Sequence, residues 1–503
     1  MTAKDSEMTK KYKNFINGKW VDAKSGKTFE NRNPANWDEV LSTFPLSGKE
    51  DVDEAVNAAR KAFEQWSLVP APSRGNILKK VGDLMTAHKE DLARTMTKEM
   101  GKVLLETRGD VQEGIDTAYY AASEGRRLFG HTVPSELPNK FNMALRMPIG
   151  VAGIITPWNF PMAIPTWKIF PALVCGNSLV FKPASDTPET ATRLVEILME
   201  AGIPEGVVNI VHGGGSSVGM AIVDHPSIDL ISFTGSSTVG KRISEVAAKT
   251  LKRLSLELGG KNAQIVMDDA RLDLALEGVL WGAFGTTGQR CTATSRLIVH
   301  EKVYDKFLSM LVDKTKKLRL GDGMKETTDV GPLVNQNQVE TVEKYVRIGT
   351  EEGATALAGG KRPGGNEFSK GWFYEPTILG GVTPTMRVAR EEIFGPVLSV
   401  IKVKNITEAI VVANGTNYGL SSSVYTQDLN NAYQAIQDIR AGITYINAPT
   451  IGAEAHMPFG GVKETGNGHR EGGWTVYEFF SEWKTVYVDY SGKLQRAQID
   501  TKE

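Results

Sequence analysis

The chain has 503 residues, 41% hydrophobic and 23% charged, with 58 Lys and Arg against 59 Asp and Glu. That length exceeds one core and implies two or three domains, and the balanced charge does not favour nucleic acid or an anionic membrane as the main partner. Two cysteines exclude a disulfide framework, and seven histidines lack both HExxH and Cys/His zinc spacing, so no metal is expected.

In chain order, MTAKDSEMTKKYKNF carries acidic residues and no apolar run, so it does not read as a secretory signal and a cytoplasmic location is expected. FINGKWVDA (15–23) places Asn-Gly between apolar runs and predicts a β-hairpin. Residues 50–125 follow helical periodicity with charged outer faces. The segment 128–148 reads as an extended arm. From 150 the pattern alternates. VAGIIT is a strand, MAIPTWKIFPALVCG a buried helix, SLVFKPA a strand. TPETATRLVEILMEAG is a helix that Thr187 can cap, with Pro188 in its first turn. The apolar run 151–181 resembles a membrane span, but Pro157, Pro161, Pro165 and Pro171 interrupt it, with Asn159 and Lys168 inside. VVNIVHG, IDLISFTGS and RLSLELGG are further strands, separated by the helices SSVGMAIVDH and STVGKRISEVAAKTL. Such alternation implies a parallel sheet covered on both faces, which binds ligands beyond the carboxyl ends of its strands. A second α/β region follows over 261–445, and TVYVDY near the end is a strand suited to pairing outside its own domain.

Several segments carry chemistry-bearing side chains. ISFTGSSTVGKRI (231–243) is strand, glycine turn and helix, with Gly235 and Gly240 spaced so that the backbone and helix N-terminus can meet a diphosphate. No G-x-G-x-x-G accompanies it. Lys182 in FKPAS stands at a strand end, within reach of a ribose or solvated. Glu257 in LELGGK lies among apolar neighbours, where desolvation raises a carboxyl pKa. It suits a general base, or a buried Glu satisfied by backbone N–H groups. Asn159 in TPWNFP is a fixed amide donor or a turn residue. Cys175 reads as an inert core cysteine. Cys291, in GTTGQRCTATSR (285–296), is different: small residues clear space around it, and a helix starting after it would lower its pKa and favour the thiolate. It is a candidate nucleophile. EEIFGPVL (391–398) sets two carboxylates beside Phe394, for a ribose or for a capped turn.

The ordered series TPWNFP, FKPAS, FTGSSTVG, LELGGK, GQRC, EEIFGP and PFGGVK resembles the NAD(P)-dependent aldehyde dehydrogenase superfamily over nearly the whole chain. The resemblance implies an α/β fold: a Rossmann-type parallel-sheet cofactor domain (1–127 and 149–259), a second α/β catalytic domain (260–475), and a small β oligomerisation arm (128–148 and 476–503) exchanged in a homodimer or homotetramer. Cys291 then matches the nucleophile, Glu257 the base, and Asn159 the oxyanion donor beside the Cys291 N–H. Lys168 and Glu471 match positioning or proton-relay positions. The dinucleotide falls to Ile155, Thr156, Pro157, Trp158, Lys182, Ser185, Gly215, Gly219, Phe233, Thr234, Gly235, Ser236, Gly240, Leu258, Glu392 and Phe394. Phe160, Trp167, Arg290, Thr292 and Phe459 match the substrate tunnel.

Ser185 departs from the acid that many NAD-preferring members carry three residues after the lysine. An acid there binds the ribose 2′-hydroxyl and repels a 2′-phosphate, so NADP as well as NAD is expected, although Asp186 is adjacent. WKIFPALVCGN, TGQRCTATSR and APTIGAEAHMPFGGVKETGNGHREGG look most like α-ketoglutaric semialdehyde (2,5-dioxopentanoate) dehydrogenases, with a broad-range or apolar-aldehyde enzyme as the alternative. A substrate carboxylate needs a cation or a set of N–H donors at the tunnel mouth; Arg290 is a candidate for the first, or equally a structural side chain. Other classes are a CoA-acylating relative, a cysteine hydrolase and a non-catalytic homologue. The retained Glu257 opposes the first of these, since a thiol acceptor hardly needs a base.

Overall fold

The computed structural model describes residues 9–499. The first eight residues, on which the reading of the N-terminus partly falls, and residues 500–503 of the arm lie outside that range.

The apolar run at 151 folds as read. Strands Val151–Ile155 and Ser178–Lys182 are buried throughout, and the helix Ala163–Val174 between them is buried on nearly every side. A strand covered on both faces needs no polar alternation. Among the described residues no helix is long and apolar enough to cross a membrane.

Seven strands form the first sheet, in the order Arg253–Glu257, Leu230–Thr234, Val151–Ile155, Ser178–Lys182, Val208–Ile210, Asn14–Ile16, Lys19–Val21. The first five run parallel; the last two are the expected hairpin, turning at Asn17-Gly18 and added antiparallel. Val151–Ile155 comes first in the alternating region, its successors flank one side and Leu230–Thr234 the other. The order therefore reverses between Val151–Ile155 and Leu230–Thr234, and a crevice opens beyond their carboxyl ends.

The predicted helix Pro188–Ala201 is present with Pro188 in its first turn, but Thr187 makes no capping hydrogen bond. The Glu99 carboxylate takes that role, accepting the N–H groups of Glu189 (2.9 Å) and Thr190 (2.7 Å).

A second seven-stranded sheet runs Thr355–Ala358, Thr377–Gly380, Val397–Val403, Thr294–His300, Asn262–Val266, Ser421–Tyr425, Ile443–Ile446. Its strands are parallel except the first. The two extended segments find each other: Lys140–Pro148 pairs antiparallel with Ser481–Asp489, from Ser481 against Pro148 to Asp489 against Lys140, and His131–Pro134 adds a third strand. Just before this strand, Val476, Tyr477, Phe479 and Phe480 bury themselves in the core of the first sheet.

Candidate active site

Cys291 lies on a loop of unusual backbone. Helix Leu272–Phe284 ends in a tight turn in which Thr286 and Thr287 take φ of 52° and 57°, followed by Gly288 at 69°. A left-handed conformation is uncommon for a β-branched residue and stores strain. At Gly288 a side chain is barred outright, since a methyl would sit 2.2 Å from the Gly395 carbonyl oxygen. Asn262, just after LELGGK, ties the far end of the loop: its Nδ2 donates to the carbonyls of Cys291 (2.7 Å) and Ala293 (2.9 Å).

Cys291 is half-buried and lines a funnel. Burial pushes its thiol up to about 12, and the carboxylates of Glu257 and Glu392 push the same way. The lowered thiol pKa expected from sequence is therefore corrected. No helix starts after Cys291; the chain turns into strand Thr294–His300, so no helix N-terminus faces the sulfur. Cys175 is buried in the first core, as read, with its thiol also raised to about 12 by burial.

Glu257 ends the edge strand Arg253–Glu257. Neither carboxylate oxygen has a hydrogen-bond partner, which removes the reading of a Glu satisfied by backbone N–H groups. Desolvation raises its pKa well above the ordinary value; Glu471 adds to this, while Lys168 and Arg470 oppose it. Backbone crowds the carboxylate: a methyl on Gly460 would lie 2.4 Å from Oε1. Behind it, Lys168 Nζ donates to Glu471 (2.5 Å) and Ser232 (3.0 Å), with both charged side chains buried.

Asn159 is buried beyond the strand Val151–Ile155. Its Nδ2 donates to the Gln289 carbonyl, two residues before the thiol (3.1 Å), and its own carbonyl accepts from buried Lys102 Nζ (2.9 Å). An amide nitrogen has two protons, so one remains for a ligand.

The funnel has a volume of about 690 Å³, and Phe160, Trp167, Thr292 and Phe459 are among the residues that line it. Trp281 and the loop 451–456 also line it and were not legible in the sequence. Arg290 borders the funnel, but its guanidinium is already engaged: Nη2 donates to Glu106 (2.9 Å) and Nε to Thr286 Oγ1 (2.9 Å). Of the two readings of Arg290, these contacts match the structural one: its charge is neutralised by Glu106.

On the crevice side, Lys182 Nζ donates to the Pro183 carbonyl (2.8 Å) at its strand end. A methyl on Gly219 would lie 4.0 Å from Lys182 Cδ, and one on Gly215 would meet nothing within 4 Å. Ser236 caps helix Ser237–Ala247, accepting the Val239 N–H (3.4 Å). The N–H groups before Val239 have no intrahelical acceptor. Gly240 serves differently from the reading above: it is buried in the helix against Leu258, whose side chain a methyl would strike at 2.5 Å, so it allows helix and sheet to approach rather than a diphosphate. Ile155 and Phe233 are likewise buried in the apolar core of this sheet.

Glu392 accepts the Gly260 N–H (2.9 Å), and burial raises its carboxyl to about 7. Gln338, which the sequence did not single out, holds this turn by donating to the carbonyls of Ile393 (2.9 Å) and Phe394 (2.7 Å). The Phe394 ring meets Trp158 edge-on at 5.4 Å. A lysine, an open glycine turn, a helix N-terminus and a carboxylate around one crevice fit a dinucleotide: cationic and N–H donors for the diphosphate, acid for a ribose diol.

A switch-point crevice of this kind, facing a second α/β sheet that presents a half-buried thiol, defines an NAD(P)-dependent oxidoreductase. The Aldehyde dehydrogenase family matches residues 20–486, and the chain belongs to that family. It is 42% identical to the alpha-ketoglutaric semialdehyde dehydrogenase of Bacillus subtilis, over 95% of this chain and 98% of that one. It is 43% identical to the 2,5-dioxopentanoate dehydrogenase of Saccharolobus solfataricus, over 93% of this chain and 98% of that one. Among solved structures, betaine aldehyde dehydrogenase from Staphylococcus aureus in complex with NAD+ superposes with a TM-score of 0.94 at 36% identity, covering 96% of this chain and 95% of that one. The chain is an NAD(P)-dependent aldehyde dehydrogenase.

Proposed function

We propose that the chain oxidises a short carboxylated semialdehyde, 2,5-dioxopentanoate foremost, to its acid through a thioester on Cys291. The observation that carries the chemistry is the arrangement of one half-buried thiol with an unpartnered carboxylate, Glu257, close enough to raise its pKa. Sulfur adds to the aldehyde as the thiolate, its proton leaving to solvent through the cavity that Cys291 lines. The free Asn159 amide proton and the Cys291 N–H stabilise the resulting oxyanion, each such donor worth about 2.7–4 kcal/mol. The nicotinamide, when bound, supplies the hydride acceptor. Glu257 then takes a proton from water as water attacks the thioester, and Lys168 with Glu471 fixes the charge behind it.

The substrate assignment rests on the names of the two semialdehyde dehydrogenases above. A broad-range or apolar-aldehyde reading is favoured by the Arg290–Glu106 pair and the aromatic funnel walls. An aldehyde panel with both cofactors separates them: kcat/KM highest for 2,5-dioxopentanoate supports the first, highest for long aliphatic aldehydes the second.

Two further outcomes are expected. Because Glu257 stays protonated at pH values where an ordinary glutamate is ionised, kcat should fall on acidification with a midpoint above the usual carboxylate range. A pH–kcat profile flat through that range would count against Glu257 as the base. NADP should be used at least as well as NAD. Ser185 Oγ lies on the Gly213 carbonyl (3.1 Å), and the Asp186 carboxylate is taken by Asn335 Nδ2 (2.9 Å), so neither places a free acid at the ribose. A strong NAD preference in kcat/KM would refute this. We further propose the domain division given above, a cytoplasmic location, and a homodimer or homotetramer joined through the three-stranded arm. Exposed apolar side chains on the arm, Phe141, Leu145, Tyr487 and Val488, support that assembly.

A further inference from the structure

The strained turn before the nucleophile poses a question of its own: what holds two successive threonines left-handed? Glu106, in the first turn of helix Leu104–Glu124, is in contact with it. Its carboxylate accepts the Thr286 N–H at both oxygens (2.9 and 3.0 Å). The same group accepts Arg290 Nη2 (2.9 Å), and Arg290 Nε reaches back to Thr286 Oγ1 (2.9 Å). Carboxylate and guanidinium are each about one-tenth exposed, at 11% and 10%. The fit is close: a methyl on Gly285 would lie 2.8 Å from Glu106 Oε1 and press on the carboxylate. An acid in a helix's first turn ordinarily serves its own helix dipole. Here both oxygens are spent on a loop 180 residues away in sequence.

We infer that Glu106 is a positioning residue for the nucleophile, clamping the Thr286–Thr287 turn in its left-handed form and so setting where the Cys291 sulfur sits. The argument has three parts. The turn costs strain that the threonines would release if freed. Charge-assisted hydrogen bonds are the stronger kind and can hold it. Released, the segment from 285 to 291 would shift against Asn159, which is bonded to Gln289 within it (3.1 Å). The clamp therefore sets sulfur and oxyanion donor relative to each other.

The inference rests on Cys291 being the nucleophile. Cys291→Ala decides that reading separately, whereas the Glu106 variants are compared per titrated Cys291 thiol. The experiment measures the pre-steady-state burst of reduced cofactor in Glu106→Ala and in the double variant Glu106→Ala/Thr286→Gly, together with cofactor affinity by fluorescence. Misplacement of reacting atoms by about 1 Å costs about 100-fold in rate, and a drop of that size is expected for Glu106→Ala with cofactor affinity unchanged. Glycine adopts positive φ without penalty, so the double variant should recover at least about tenfold. A role confined to fold stability predicts no such recovery. A burst rate for Glu106→Ala within about threefold of the unaltered enzyme overturns the proposal, as does a double variant no faster than the single one. Should Glu106→Ala fail to fold, Glu106→Gln carries the same comparison, since it keeps one acceptor for the Thr286 N–H and loses the charge.

Discussion

Cys291→Ala is expected to abolish aldehyde-dependent reduction of NAD(P), by roughly 10⁶-fold, the scale of removing the nucleophile from a covalent site. The loss should be in chemistry alone. Cys291 is half-buried with small neighbours, and its loop is held by the contacts of Asn262 with backbone carbonyls rather than by its own side chain. Thermal stability and cofactor binding should therefore be preserved. The other cysteine cannot substitute, because Cys175 lies in the core of the first sheet. Residual turnover within a hundredfold of the unaltered enzyme, measured by absorbance of the reduced cofactor, would remove the thioester route.

The second large effect concerns Glu257→Gln. Formation of the thioester should still yield a burst of reduced cofactor, up to one per subunit. Steady turnover should then fall by about 10²–10⁴, the usual contribution of a general base. The substitution is structurally mild for a stated reason: neither Glu257 oxygen has a hydrogen-bond partner to lose, and a neutral amide avoids the cost of an ionised carboxylate in that site. Steady turnover equal to that of the unaltered enzyme would refute the base assignment. A missing burst with slow turnover would place Glu257 at the first step, as the sulfur's proton acceptor.

How far the sequence revealed these features depended on whether the determining contact was local. The strand–helix alternation from 151 to 257 was readable because apolar runs, helix periodicity and turn residues all lie within a few residues of what they specify. The hairpin at Asn17-Gly18 was readable for the same reason. Glu257 drew notice because a charged residue among apolar ones is conspicuous. The misreadings came from distance. Thr187 stood where a cap belongs, yet the capping carboxylate is Glu99, on another helix. Arg290 read equally as a substrate cation or a structural side chain, and only Glu106, 184 residues away, decides between them. The supposed helix after Cys291 failed because Thr294–His300 is claimed by strands on both sides, Asn262–Val266 and Val397–Val403. Gln338 gave no signal, since a glutamine in an amphipathic helix reads as surface until its two carbonyl partners are in place.

The pairing of 481–489 with 140–148 has a consequence for biogenesis. Val476–Phe480 supplies aromatic rings to the interior of the half built on the first sheet, and the Arg253 guanidinium grips the carbonyls of Phe479 and Ser481. A nascent polypeptide therefore cannot complete that half when its own last strand, Arg253–Glu257, emerges from the ribosome. It waits, with part of its hydrophobic interior open, until some 220 further residues have been translated, the interval in which a chaperone has something to hold.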